Sequence, residues 1–269
     1  MIKFLRIFGL ILSISFLSSS NAAHLGKITI EDPVLGSRTI IYNKINNYAV
    51  VEGDIIIGRA NGLNNNQGAV ITPKFEGTRW PNGMIPYELS TELPLKNKCA
   101  VREAIDYWQK KTHIQFVELN SKNRNEYKDY ISFISAEGTT CSSWIGRKGN
   151  KQEINLASRC NTMNIVHEIG HALGLWHEQS RADRNSYVSI IWENIAKKNK
   201  YNFDQHLTES EDFGEYDYQS IMHYSAVAFS KNGLKTIIPL VAGVEIGQRI
   251  KLSKKDIAAI NSMYPESVK

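Results

Sequence analysis

Apolar residues recur at helical spacing in three parts of the chain and alternate in others. Val101, Ala104, Ile105 and Trp108 predict an amphipathic helix over residues 98–111, with Trp108 in the core. Ile257, Ala258, Ile260 and Met263 predict a second over 254–264. Between them, Ile165, Val166, Ile169, Ala172, Leu173 and Leu175 predict a helix apolar enough to be buried. Ile114 to Leu119 and Tyr130 to Ser135 alternate as strands do. Val188 to Ile191 precedes Trp192-Glu193-Asn194-Ile195, after which a helix is expected. Near the start, Ile7 to Leu17 is a largely apolar run of eleven residues, too short to span a bilayer comfortably.

The central helix carries chemistry. His167 and His171 are four apart, so they project from one face, one turn above the other. Two imidazoles so placed can share a zinc ion. Glu168 lies one position round, where its carboxylate reaches a water rather than the metal. His177 cannot join by continuing the helix, since six steps of about 100° carry it far round the axis. The chain must leave the helix first. Gly174 is placed for that, because glycine accepts the left-handed conformation that ends helices. Three histidines with one open position form a catalytic rather than a structural zinc arrangement. A chance histidine pair would need Gly174, His177 and Glu178 to fall in register by chance as well.

Composition narrows the partners. The chain has 269 residues, 42% of them hydrophobic, which suits one sizeable domain with appendages. Its formal charge is +5, and Lys3 and Arg6 are the only charges in residues 1–22. Without that segment a charge of +3 argues for neither nucleic acid nor an anionic membrane surface. Residues 1–22 have the form of a secretory signal: a basic end, the apolar run, and small residues at Ser20-Asn21-Ala22. An uncleaved N-terminal anchor is the alternative. Three cysteines in an exported chain allow one disulfide. Cys141 with Cys160 is the expected pair, tying a strand-like segment to the entrance of the zinc helix. Cys99 is then an unpaired, partly buried thiol acting as a small core hydrophobe. Residues 23–72 look like a pro-segment rather than a domain, with a turn-rich, protease-sensitive stretch at 61–68.

The run HExxHxxGxxHE from His167 to Glu178, continued by Gln179-Ser180-Arg181-Ala182-Asp183-Arg184, resembles the astacin family of metzincin zinc peptidases. Ala182 stands where that family usually has proline. The resemblance covers roughly residues 75–265 and implies an α+β, zincin-like catalytic domain over 73–269. Its N-terminal half would hold a twisted, mostly parallel sheet with helices, its C-terminal half would be irregular, and zinc would sit in the cleft between. It also implies one zinc ion per chain, a protein or peptide substrate, and the Cys141–Cys160 bridge. The family's partner for the Cys99 position is missing near the C-terminus. Ser220-Ile221-Met222-His223-Tyr224 resembles the family's Met-turn. Met222 would then floor the histidines, Tyr224 would be an additional zinc ligand and oxyanion donor, and His223 would be structural. Val51-Glu52-Gly53-Asp54 is similar to the family's Phe-x-Gly-Asp pro-segment motif, with Val51 in place of phenylalanine. Asp54 would occupy the zinc's open position in a zymogen; a plain Gly-Asp turn before an edge strand is the alternative. Glu178 would receive the freed N-terminus of the mature enzyme. The stretch 142–156, with Gly146, Gly149 and Gln152, would supply the substrate-pairing edge, with Ser143 and Trp144 as contacts.

The expected activity is endopeptidase hydrolysis. Glu168 takes a proton from the attacking water and passes it to the departing amine. A basic residue selecting acidic side chains after the cut, a family habit, cannot be placed from the sequence. The product is expected to be a monomer, secreted or periplasmic, without membrane insertion once the signal is removed. The rival reading is a catalytically silent, zinc-bearing peptide-binding protein; the presence of Glu168 and of every ligand speaks against it.

Overall fold

The computed structural model describes residues 24–32, 36–61, 78–207 and 210–266. The expected signal segment, most of the turn-rich stretch and the boundary at residue 72 lie outside them. The N-terminal segment forms an antiparallel meander of β1 (His24–Asp32), β2 (Gly36–Ile45), β3 (Tyr48–Val51) and β4 (Ile55–Arg59). A two-residue turn joins β2 to β3, and Asn46 and Asn47 supply its positive φ angles of 47° and 67°. One face of the meander buries Ile28, Tyr42, Ala49, Val51 and Ile55 with Ile145. Its other face buries Tyr48, Val50 and Ile56 against Trp144. The segment thus has regular strands. Its apolar faces close only with side chains of the following domain.

That domain begins with Trp80, whose indole N–H donates to the Ala172 carbonyl at 2.9 Å. Its sheet runs β6–β5–β7–β9, with every pairing parallel. The strands are β5 (Met84–Leu89), β6 (Gln115–Glu118), β7 (Tyr130–Ser135) and β9 (Lys151–Leu156). The helix α1 (Leu95–Lys111) buries Val101, Ala104, Ile105 and Trp108, as its periodicity predicts. Trp108 donates to the Val166 carbonyl at 3.1 Å, which pins α1 to α2 (Thr162–Leu173). The short strand β8 (Ser143–Trp144) runs parallel to β4 and joins the two sheets. Gln152 braces the loop after it, donating to the Gly146 carbonyl and accepting from the Lys148 amide, both at 2.9 Å.

Cys141 and Cys160 form a disulfide, as expected. Cys99 is free but exposed, which corrects the expectation of a partly buried thiol. On α1 the buried positions are 97, 100, 101, 104, 105 and 108, and position 99 turns outward from that stripe. Beyond α2 the chain is irregular. β10 (Val188–Ile190) pairs with β11 (Ile237–Pro239), and α3 (Lys254–Met263) closes the domain. The helix expected after Ile195 is instead a 3-10 turn over Lys197–Phe203. Only Asn202 and Phe203 are buried there, so no apolar stripe sustains a longer helix. Among the described residues no helix is long and apolar enough to cross a membrane.

Candidate metal centre

α2 is built to aim two of its histidines. Asn161 caps its first turn, accepting from the Asn164 amide at 2.9 Å while Asn164 returns the bond at 3.2 Å. The disulfide fixes the residue before that cap. The helix ends at Gly174, at φ 113°, in the left-handed conformation that the sequence requires there. The chain then turns back, and His177 arrives beside the first two histidines. Ring centroids of His171 lie 4.7 Å from those of both His167 and His177, and His167 and His177 are 5.3 Å apart.

Each imidazole has a fixed tautomer. His167 Nδ1 donates to the Ile221 carbonyl at 2.9 Å, and His171 Nδ1 to the Leu175 carbonyl at 2.8 Å. His177 Nδ1 donates to the Glu52 carboxylate at 2.7 Å. All three Nε2 atoms therefore present lone pairs to one point. Asp54 reaches that point from the N-terminal segment. Its oxygens lie 3.4 Å from His167 Nε2, 3.6 Å from His171 Nε2 and 3.3 Å from His177 Nε2. These are long for charged hydrogen bonds, which run about 2.7–2.9 Å. The three Nε2 atoms and Asp54 Oδ1 are buried without a hydrogen-bond partner. Such a set satisfies itself by sharing a cation, and its ligand atoms all lie within 4.8 Å of one another. Nitrogen donors with one carboxylate suit zinc.

The electrostatics fit that assignment. Burial lowers the pKa of His167 and His171 and keeps their lone pairs free. Burial acts the same way on His177, but the Asp54 and Glu52 carboxylates outweigh it and lift that ring to about 9. A proton and a metal ion compete for the same nitrogen. Glu168 is buried, and its Oε2 has no hydrogen-bond partner. Burial first, and Asp54 second, raise its pKa well above the ordinary carboxylate range.

Ser220 to Tyr224 lies beside α2 and the histidine cluster. Met222 is buried against α2, and a Cβ added at Gly170 would come within 2.9 Å of its sulfur. The Tyr224 ring sits 4.6 Å from that of His177, and its hydroxyl donates to the Glu52 carbonyl at 2.5 Å. His223 is buried away from the centre, donating to the Tyr224 carbonyl and accepting from the Tyr216 hydroxyl at 2.7 Å. Glu178 faces the opposite way. Its carboxylate accepts from the Asp217 amide at 2.7 Å and lines a cavity of about 260 Å³ with Arg79, Asp217, Ser220 and Asp256, which His177 and Met222 also border. Burial pushes its pKa up to about 8. Ser143 and Trp144 are covered by the N-terminal segment: the Ser143 amide donates to the Asp54 carbonyl at 2.9 Å, and Trp144 meets Tyr48 edge-on.

Ala182 explains its departure from proline in part, since its amide donates a long bond of 3.4 Å to Asp212. Val51 is buried with Tyr42 and Ile145, so an aliphatic side chain fills that place.

The model of the peptidase family described as "Astacin" matches residues 73–265. The chain belongs to the astacin family. It is thereby a zinc metallopeptidase, and Asp54, His167, His171 and His177 form a cluster that could hold its zinc. A similar relative is zinc metalloproteinase nas-4 of Caenorhabditis elegans, 38% identical over 231 residues, covering 82% of this chain and 70% of that protein. That match is too long for residues 73–269 alone, so it reaches into the preceding segment. Bone morphogenetic protein 1 of Xenopus laevis is 40% identical over 194 residues, which cover 69% of this chain and 27% of that protein. Among solved structures, high choriolytic enzyme 1, a hatching-enzyme zinc-protease of the medaka Oryzias latipes, superposes with a TM-score of 0.62. It is 40% identical and covers 69% of this chain and 92% of that one.

Three residues of the site escape sequence reasoning. Glu52 stands in the sequence only as part of the Gly-Asp motif, and its neighbour Asp54 is the available clue. His206 lies in a polar stretch with no pattern, yet it meets Glu52. Arg249 donates to the His223 carbonyl at 3.0 Å, and its charge acts on Asp54 and Glu168.

Proposed function

We propose that this chain is an exported zinc endopeptidase held latent by its own N-terminal segment. Residues 1–22 are the export signal, 23–72 the pro-segment and 73–269 the peptidase, which works as a secreted or periplasmic monomer. The observation that carries the reading is the Asp54 carboxylate set among the three Nε2 atoms. In that position it occupies the coordination site that water and substrate need. The same segment lays β4 along β8 and engages the Tyr224 hydroxyl.

Removal of residues 23–72 exposes the working groups. Zinc, when bound, supplies Lewis acidity and a water with a pKa of about 7. Glu168 accepts the proton of the attacking water and returns it to the leaving amine. Tyr224, freed from the Glu52 carbonyl, donates its hydroxyl to the oxyanion. The β8 edge at Ser143 and Trp144 pairs with the substrate backbone, which demands little of the substrate's sequence. Arg249 supplies the positive charge that favours an acidic side chain next to the cut. The new N-terminus enters the cavity lined by Glu178, where a buried carboxylate receives the ammonium group.

The test compares the chain lacking residues 1–72 with its Glu168→Ala variant, both checked for bound zinc. A mixed peptide library should be cut by the first and not the second, with both holding one zinc. Zinc lost from the variant would show that Glu168 is a ligand. Absence of cutting by either, with zinc present, would favour a peptide-binding protein.

A further inference from the structure

The three histidines differ in where their outer partners come from. His167 and His171 are oriented by the carbonyls of Ile221 and Leu175, both inside the peptidase domain. His177 is oriented by Glu52, a residue of the segment to be removed. That glutamate is fully built into the site. It is 3% exposed, and its carboxylate also accepts from the Ser180 hydroxyl at 2.9 Å and from His206 Nε2. Trp176 stacks on the His206 ring at 4.0 Å, and the His206 amide donates to the Ser180 carbonyl at 2.8 Å, so the acceptor pocket is itself braced. Glu52 adopts φ 49°, a left-handed backbone that a residue with a long side chain occupies only when its surroundings hold it there. Gly53 follows with its Cα against the Phe229 ring, where a Cβ would come within 2.9 Å. The turn is therefore shaped to deliver two carboxylates, Asp54 to the centre and Glu52 behind it.

We propose that Glu52 is a positioning residue for the metal centre. Its carboxylate orients His177 and strengthens that ring's hold on zinc, so the segment that blocks the site also retains the metal until it leaves. This rests on the zinc and pro-segment reading above. A carboxylate accepting the far N–H of a ligating imidazole fixes its tautomer and makes its other nitrogen a better donor. Losing such a partner lowers metal affinity by about 10–100-fold. Removal of the segment thus converts a tightly held zinc into a more exchangeable one, apart from the loss of Asp54 itself.

The test uses the full chain carrying Glu168→Ala, so that it cannot cut itself. Zinc affinity is measured by competition with a coloured chelator, with Glu52→Gln introduced beside native Asp54 and beside Asp54→Asn. Glu52→Gln is expected to weaken zinc binding about 10–100-fold in both backgrounds. An unchanged affinity, or an effect that disappears beside Asp54→Asn, would overturn the proposal, because Glu52 would then act only by seating Asp54. Hydrogen exchange of the β4 amides reports whether the segment stays seated. Should Glu52→Gln unseat it, the proton spectrum of the zinc-loaded chain with native Glu52 decides. The His177 Nδ1 proton should resonate well downfield of those of His167 and His171, and equal positions would overturn the proposal. A chain that binds no zinc in any form would instead defeat the zinc reading itself.

Discussion

His167 and His171 are four residues apart on α2, and Gly170 lies between them against Met222. A methyl added there would sit 2.9 Å from the Met222 sulfur and 3.4 Å from its terminal carbon. Met222 is buried and follows Ile221, whose carbonyl aims His167. At 2% exposure Met222 has little free space for its sulfur to move into. Gly170→Ala is expected to cost about 1–3 kcal/mol by overpacking and to loosen zinc. A thermal melt with a parallel zinc-release assay checks both effects; an unchanged melting temperature would mean that Met222 repacks freely. Tyr224 poses a different question. Tyr224→Phe keeps the ring against His177 but removes the hydroxyl. In the enzyme lacking residues 1–72, kcat should fall about 100-fold or more with KM little changed, as for loss of one oxyanion donor. Equal kcat values would exclude that role. The zinc ligands and Glu168 are legible because their spacing is local. Glu52 is not, since it meets His177 across 125 residues and His206 across 154. A single buried contact between distant residues leaves no period or spacing in the sequence.

At the scale of elements, α2 is secured at both ends. The Cys141–Cys160 bond holds its entrance to the segment leading into β8, across 19 residues. Gly174 releases the chain at its exit. Replacing both cysteines with serine should destabilise the domain by about 3 kcal/mol, the loop-closure entropy of a bridge of this length. Urea unfolding with and without the bridge measures it. A difference well below 1 kcal/mol would mean that the bonds from Trp108 to the middle of α2 and from Trp80 to its far end already hold the helix in place. The same elements explain what the sequence makes readable. α1, α2 and α3 carry apolar stripes, and β7 is a short, mostly apolar run, so their positions are readable. The half after His177 does not, because its order comes from side chains. Arg181 and Arg184 donate to carbonyls of Phe213, Gly214, Gln179 and Phe203 rather than building a regular ladder. β1 to β4 are hidden for the opposite reason. Their apolar faces are completed by Ile145, Trp144 and Trp176, so the segment alone looks too poor in core residues to fold.

For the whole molecule, the proposed latency would rest on how several modest contacts add up on a tethered segment. Asp54 lies among the zinc ligands, Glu52 is locked behind them, β4 pairs with β8, and Tyr48 meets Trp144. Because the segment is part of the same chain, its effective concentration is high, and loss of one contact leaves the others in place. Asp54→Asn removes the carboxylate charge from the metal position, and a loss of about 1.4–2.8 kcal/mol there corresponds to a change of about 10–100-fold. The fraction of intact chains with an open site should then rise about 10–100-fold. A quenched peptide substrate, followed in the first minutes while a gel still shows uncut chain, reports that fraction. Activity should rise by that factor and stay below that of the enzyme lacking residues 1–72. An intact variant as silent as the native chain would place the block in the pairing of β4 with β8, since the substrate needs that same edge. An intact variant as active as the truncated enzyme would make Asp54 the whole of the block. In that case Glu52 and the meander would serve only to bring one carboxylate to the metal.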